Sequence, residues 1–177
     1  MRIFLSSIIF SIFCFTSFNI LANYQLAVNY FNKKQFKESI LEFKKVIENS
    51  KLDKEKSDAL FNLGVIYDNG LGTSVNKKKA KTYYELAAEE NHKIAQYNLA
   101  WMYYNGESVE KNFFEAFKFY NLSAEQGYNK AQYNLASLYF YGDGTMKDYK
   151  LAYKWFKISS MNGINESKNF IKKIKPL

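Results

Sequence analysis

Two Ser-x-x-Lys spacings, Ser74 to Lys77 and Ser108 to Lys111, are the nearest approach in this chain to a nucleophile with a base beside it. A serine paired in this way can carry acyl-transfer chemistry, but only with further elements that complete the site. Neither Ser-Asp-Asn nor Lys-Thr-Gly occurs, and a chain so rich in serine and lysine produces the short spacing by chance. His92, the only histidine, stands beside Asn91 with no second metal ligand at a recognisable distance, and reads as a turn residue. Glu89 and Glu90 are adjacent, so on a helix their carboxylates diverge and cannot share a proton. The residues therefore give no catalytic set, no metal site and no cofactor site, and the expectation is a protein without chemistry of its own.

Composition narrows the class further. The formal charge is +8, yet 24 of the 25 basic residues are lysine and only Arg2 is arginine. Nucleic-acid surfaces favour guanidinium forks on phosphates and base edges, so lysine-coated helix faces are the better reading and no nucleic-acid partner is expected. The single proline, Pro176, leaves every earlier stretch free to be helical.

Arg2 followed by the uncharged run Ile3 to Phe18 has the layout of an export signal, with cleavage expected after Ala22. The rival is an uncleaved anchor, because the uncharged run approaches bilayer-spanning length. Cys14, the only cysteine, lies inside this signal behind Phe13, which does not suit lipidation. Cleavage leaves a mature chain with no thiol, not membrane-spanning, and periplasmic or secreted.

The elements that would have to position any site come from a repeat. Ala59, Ala95 and Ala131 are 36 residues apart, as are Leu63, Leu99 and Leu135; Tyr67, Tyr103 and Tyr139; Gly70, Gly106 and Gly142; and Ala80, Ala116 and Ala152. A period of this length marks a repeat architecture. Within the second copy, Ala95, Leu99, Met102 and Tyr103 share one face of a first helix, and Phe113, Ala116, Phe117, Tyr120 and Ala124 share one face of a second. Alanines belong where helix axes approach closely, and the glycines end each first helix where a left-handed backbone is needed. Upstream, Tyr24 to Phe31 and Phe36 to Ile47 read as a helical hairpin around the turn Asn32 to Gln35. Asn49 to Ser57 reads as a polar connector, with the next helix from near Asp58.

The pattern Ala-x-x-x-Leu-(Gly or Ala)-x-x-Tyr-x-x-Gly, followed by alanine, an aromatic pair and alanine or serine, resembles the Sel1-like repeat, a relative of the tetratricopeptide repeat. Ala27, Tyr30, Ser39, Phe43 and Val46 resemble a tetratricopeptide unit. The resemblance implies an all-α fold, a right-handed α-solenoid of antiparallel helix pairs. With the signal peptide read at 1–22, it divides the rest of the chain into a tetratricopeptide-like hairpin at 23–57, Sel1-like repeats at 58–92, 93–128 and 129–164, and a C-terminal capping helix at 165–177. Ser167 and Ile171 start a fourth copy in that last segment. Its lysines Lys168, Lys172, Lys173 and Lys175 give a polar outer face, or on a sharper reading a weak contact with an anionic envelope surface.

The resemblance also implies that first helices line the concave wall on which a protein or peptide partner docks. The residues singled out there for partner binding are Trp101, Tyr104, Phe140 and Tyr141, with the repeating amides Asn98 and Asn134 either gripping a peptide backbone or bracing neighbouring helices. The expected function is an exported scaffold for protein or peptide binding in the bacterial cell envelope. The alternative implied by the resemblance is a β-lactam or cell-wall-peptide hydrolase or binder, as in cysteine-rich Sel1-like proteins, although the paired cysteines of that subgroup are absent here.

Overall fold

The computed structural model describes residues 23–50 and 53–174, all of whose regular structure is helical. The expected export signal at 1–22, together with Lys175 and Pro176, lies outside the described residues. The chain forms two compact units, Met1–Glu90 and Asn91–Leu177.

In the first unit, α1 (23–32) and α2 (Phe36–Asn49) form the expected hairpin, which turns through Lys34 at φ 59°. Ser39, standing where an alanine would be usual, is fully buried and donates its hydroxyl to the Ala27 carbonyl at 3.0 Å, so the polar substitution at this crossing is satisfied. The helices α3 (Asp53–Asn69) and α4 (Lys77–Glu89) follow. α3 begins at Asp53, earlier than the expected start near Asp58. The extra turn carries no apolar stripe and reads as a connector in sequence. Its Lys56, however, pairs with Glu90 at 2.8 Å at the far end of α4, and Ser57 is buried with its hydroxyl on the Lys54 carbonyl.

The second unit contains α5 (Lys93–Asn105), α6 (Phe113–Glu125), α7 (Asn129–Tyr141), α8 (Tyr149–Met161) and α9 (Ser167–Lys173). Consecutive helices pack on one another. Ala100, Ala116, Ala124 and Ala131 are fully buried around Tyr120 and Leu135, so alanines do mark the close crossings and a large ring fills the space beside them. A second core gathers Ala136, Ala152 and Phe156 under α9.

Each joint repeats in detail. Gly106 and Gly142 end α5 and α7 at φ 74° and 80°. The second helices are capped by Asn76, Asn112 and Asp148, whose side chains accept from Lys79 N at 2.9 Å, Glu115 N at 3.1 Å and Leu151 N at 2.8 Å. The backbone N–H of each cap residue donates to the carbonyl of the repeated tyrosine, Tyr67, Tyr103 or Tyr139. Tyr67 stacks on Tyr83, and Tyr103 on Phe119, each pair with its planes 4° apart.

Candidate binding groove

Within the second unit a cavity of about 220 Å³ opens between α5 and α7. α5 supplies Trp101 and Tyr104, one turn apart on the same face. α7 supplies Tyr133, Asn134, Ser137 and Tyr141, again at one-turn steps. Tyr120 of α6 lines the buried end and Phe170 of α9 closes one side. Trp101 and Tyr141 are 48% and 52% exposed, and so stand at the rim with much of their ring surface uncovered.

Helix ends fix both walls. α5 starts at His92, whose Nδ1 accepts from the Ala95 N–H at 3.2 Å, and stops at left-handed Gly106. His92 is thus a helix cap. Of the two Ser-x-x-Lys lysines, Lys77 pairs with Asp68 at 2.8 Å, and Lys111 sits over the Phe113 ring at 4.6 Å. Among the described residues no cluster of three or more acidic, histidine or cysteine side chains is placed to hold a metal ion. No described helix is long and apolar enough to cross a membrane.

The polar groups of the groove are tied to the scaffold. Tyr104 donates its hydroxyl to Asp143 Oδ2 at 3.4 Å, and burial together with that carboxylate raises its phenol above the ordinary value. Asn134 hydrogen-bonds the phenols of both Tyr97 and Tyr120; burial nevertheless keeps both phenols raised, Tyr120 far more than Tyr97. Ser137 donates to the Tyr133 carbonyl at 3.1 Å.

The structure therefore brings Trp101, Tyr104, Asn134 and Tyr141 to one groove and leaves out two of the residues singled out with them. Phe140 points into the core below: its ring lies 4.9 Å from Tyr141, 5.4 Å from Tyr149 and 5.5 Å from Phe170. Position 140 lies on the α8 and α9 side of α7, half-buried, and does not line the cavity itself. Asn98 is half-buried on α5 and does not line the cavity.

Tyr120, Tyr133, Ser137, Leu138 and Phe170 line the cavity as well, beyond the residues singled out in sequence. Tyr120 sits on a second helix. Phe170 stands 36 residues after Asn134, in the same repeat position. There an aromatic ring replaces the amide, stacking on Phe156 at 4.5 Å and meeting Tyr133 edge-on at 6.0 Å. Phe156 and Tyr133 are themselves the repeat equivalents of Tyr120 and Tyr97. The slot is kept and its chemistry changes from an amide on two phenols to a ring on two rings.

Comparison with known proteins places these helices in a family. The model of the Sel1 repeat matches residues 12–33, 57–92, 93–128 and 129–164. No curated protein matches the chain. Among solved structures, a Sel1 repeat protein from Oxalobacter formigenes is 30% identical with a TM-score of 0.75, over 83% of this chain and 58% of that one. The c5321 protective antigen of uropathogenic Escherichia coli is 29% identical with a TM-score of 0.76, over 85% of this chain and 32% of its own. Cysteine rich protein B of Helicobacter pylori shares the fold at 19% identity and a TM-score of 0.52, over 85% of this chain and 93% of its own. This chain thus spans less than two thirds of the first two proteins. The family match covers most of the residues that build both units: the chain belongs to the Sel1 repeat family, all-α solenoid scaffolds of antiparallel helix pairs that generally mediate protein–protein interaction and are typically non-catalytic.

Proposed function

We propose that this protein is an exported scaffold of the bacterial cell envelope that captures a protein or peptide partner in the groove between α5 and α7, and performs no chemistry on it. The observation that carries this reading is the rim formed by Trp101 and Tyr141: two large rings, each about half exposed, flank a cavity whose deeper wall is already packed. Half-buried aromatics of this kind are effective anchors, since they offer large contact area and few rotors to immobilise. The layout of the first twenty-two residues supports export, with a mature chain beginning at Asn23. Exposed Lys168, Lys172 and Lys173 on α9 add, in this reading, a weak and salt-sensitive contact with an anionic surface.

The test is site-specific photo-crosslinking in cells. A photoreactive phenylalanine analogue at position 101 is expected to trap a discrete protein species, while the same group at exposed Lys157 traps none. Trp101→Ala should abolish co-purification of that species without lowering the melting temperature. Equal trapping from both positions would rule out the groove. The location is tested by sequencing the N-terminus of the fractionated protein, which should begin at Asn23. Purified protein should show no turnover of a chromogenic β-lactam.

A further inference from the structure

The groove is electron-rich and is lined by no charged side chain of either sign, in a protein whose formal charge is +8. None of its lining residues is a lysine or an arginine. Instead it presents the rings of Trp101, Tyr104, Tyr133, Tyr141 and Phe170. Three of these rings, those of Tyr104, Tyr133 and Tyr141, are phenols that line the same cavity. Two carboxylates stand behind them: Asp143 accepts the Tyr104 hydroxyl at 3.4 Å, and Glu166 stands exposed on the turn before α9, one helical turn ahead of the lining residue Phe170. Aromatic faces attract cations through their quadrupole, and a nearby carboxylate adds long-range attraction.

The rings of this wall already attract cations outside the cavity. Lys111 lies 5.8 Å from the Tyr104 ring centroid and Lys173 lies 5.5 Å from that of Phe170. Neither lysine lines the cavity. Its size is also informative. At about 220 Å³ it falls below the roughly 300–1,000 Å³ of pockets that enclose whole small-molecule ligands, and suits one long side chain.

We propose that the groove is a receptor for a single cationic side chain, an arginine or lysine, presented by the protein partner, with Trp101 and Tyr141 at the entrance and Asp143 and Glu166 supplying the countercharge. This rests on the reading of the groove as the partner site and adds the chemistry of what enters it. A planar guanidinium, which stacks on ring faces and is weakly hydrated, fits best.

The test uses small probes and NMR, following the indole N–H of Trp101 with that of Trp155, which does not line the cavity, as reference. N-acetyl-arginine amide should shift the Trp101 signal with a Kd on the order of millimolar. N-acetyl-citrulline amide, its neutral isostere, should bind about tenfold more weakly. Asp143→Asn and Glu166→Gln should each weaken arginine-probe binding about threefold, with melting temperature checked for both; the exposed position of Glu166 keeps one variant free of folding effects. Equal binding of the arginine and citrulline probes overturns the cation assignment and leaves the partner groove standing. Arginine preference unaffected by either variant overturns the role of the two carboxylates. If neither the cationic probes nor N-acetyl-phenylalanine amide moves the Trp101 signal, both the cation assignment and the groove reading fall.

Discussion

Asn162 donates from Nδ2 to the buried Oε1 of Gln132 at 2.8 Å, and the same bond stands one repeat earlier between Gln126 and Gln96 at 2.7 Å. Each links the residue that closes a second helix to the first helix of its own pair. Gln132 also donates to the Ala124 carbonyl at 3.3 Å, so its amide ties α7 to α6 as well as to the end of α8. In the first unit the equivalent position is Leu60, which is buried and apolar.

Gln132→Ala should lose about 1–3 kcal/mol, combining a small cavity with unpaired polar groups. Gln132→Leu should cost less, because Leu60 shows that the slot accepts an apolar chain and the Ala124 carbonyl keeps the Gly127 N–H as a partner. A urea double-mutant cycle with Asn162→Ala should give a coupling of about 1 kcal/mol. Zero coupling would show that the bond is incidental.

Gly144 tests the loop between α7 and α8. Its φ is +71°, and a Cβ there would run into the backbone carbonyl of Phe113 at the start of α6. Gly144→Ala should therefore destabilise the protein by at least about 2 kcal/mol, through both conformation and contact. Ser108 occupies the same repeat position at φ 58° with a Cβ present. Ser108→Gly should raise stability by up to about 1 kcal/mol, read as an increased melting temperature.

At the α5 to α6 crossing, Ala116 is fully buried. Ala116→Leu should cost about 1–3 kcal/mol by overpacking. A thermal melt indistinguishable from wild type would contradict the close approach of these helices.

Tyr120 predicts alkaline behaviour. Burial raises its phenol well above the ordinary value, with Tyr97 adding to the effect and Asn134 opposing it. In the unfolded chain a tyrosine titrates near about 10. A folded pKa above the unfolded one means the contribution is fully present below about pH 10 and is lost as the pH rises beyond it. Stability should fall above that point, and Tyr120→Phe should reduce the slope by up to about 1.4 kcal/mol per pH unit. An unchanged slope would remove Tyr120 as its source.

The fold was legible in sequence wherever a residue type has one dominant use. Alanine at helix crossings and glycine after the repeated tyrosine are examples, because sterics leave few alternatives at Ala116 or Gly106. The start of α3 was not legible, since its first turn is held by Lys56 pairing with Glu90, a partner 34 residues away. The groove was half legible. Trp101, Tyr104 and Tyr141 follow from the positions that the resemblance to tetratricopeptide proteins assigns to the concave wall, but Phe140 is an aromatic beside Tyr141 and differs in which side of α7 it faces. Tyr120 and Phe170 enter the site from elements that a repeat template assigns to packing. The clue was Phe170 breaking the Asn62, Asn98 and Asn134 series, a signal visible in the residues but without meaning until its neighbours are known.

Phe170 serves two roles at once, covering the terminal core through Phe156 and forming one side of the groove. Arrays of this kind change most readily by gaining or losing whole repeats. Here a repeat inserted between α8 and α9 with asparagine at the corresponding position would exchange that side from a ring to an amide. Copy number and the lining of the groove would therefore change together, so that a lengthened chain would carry a differently walled cavity rather than a longer version of the same one.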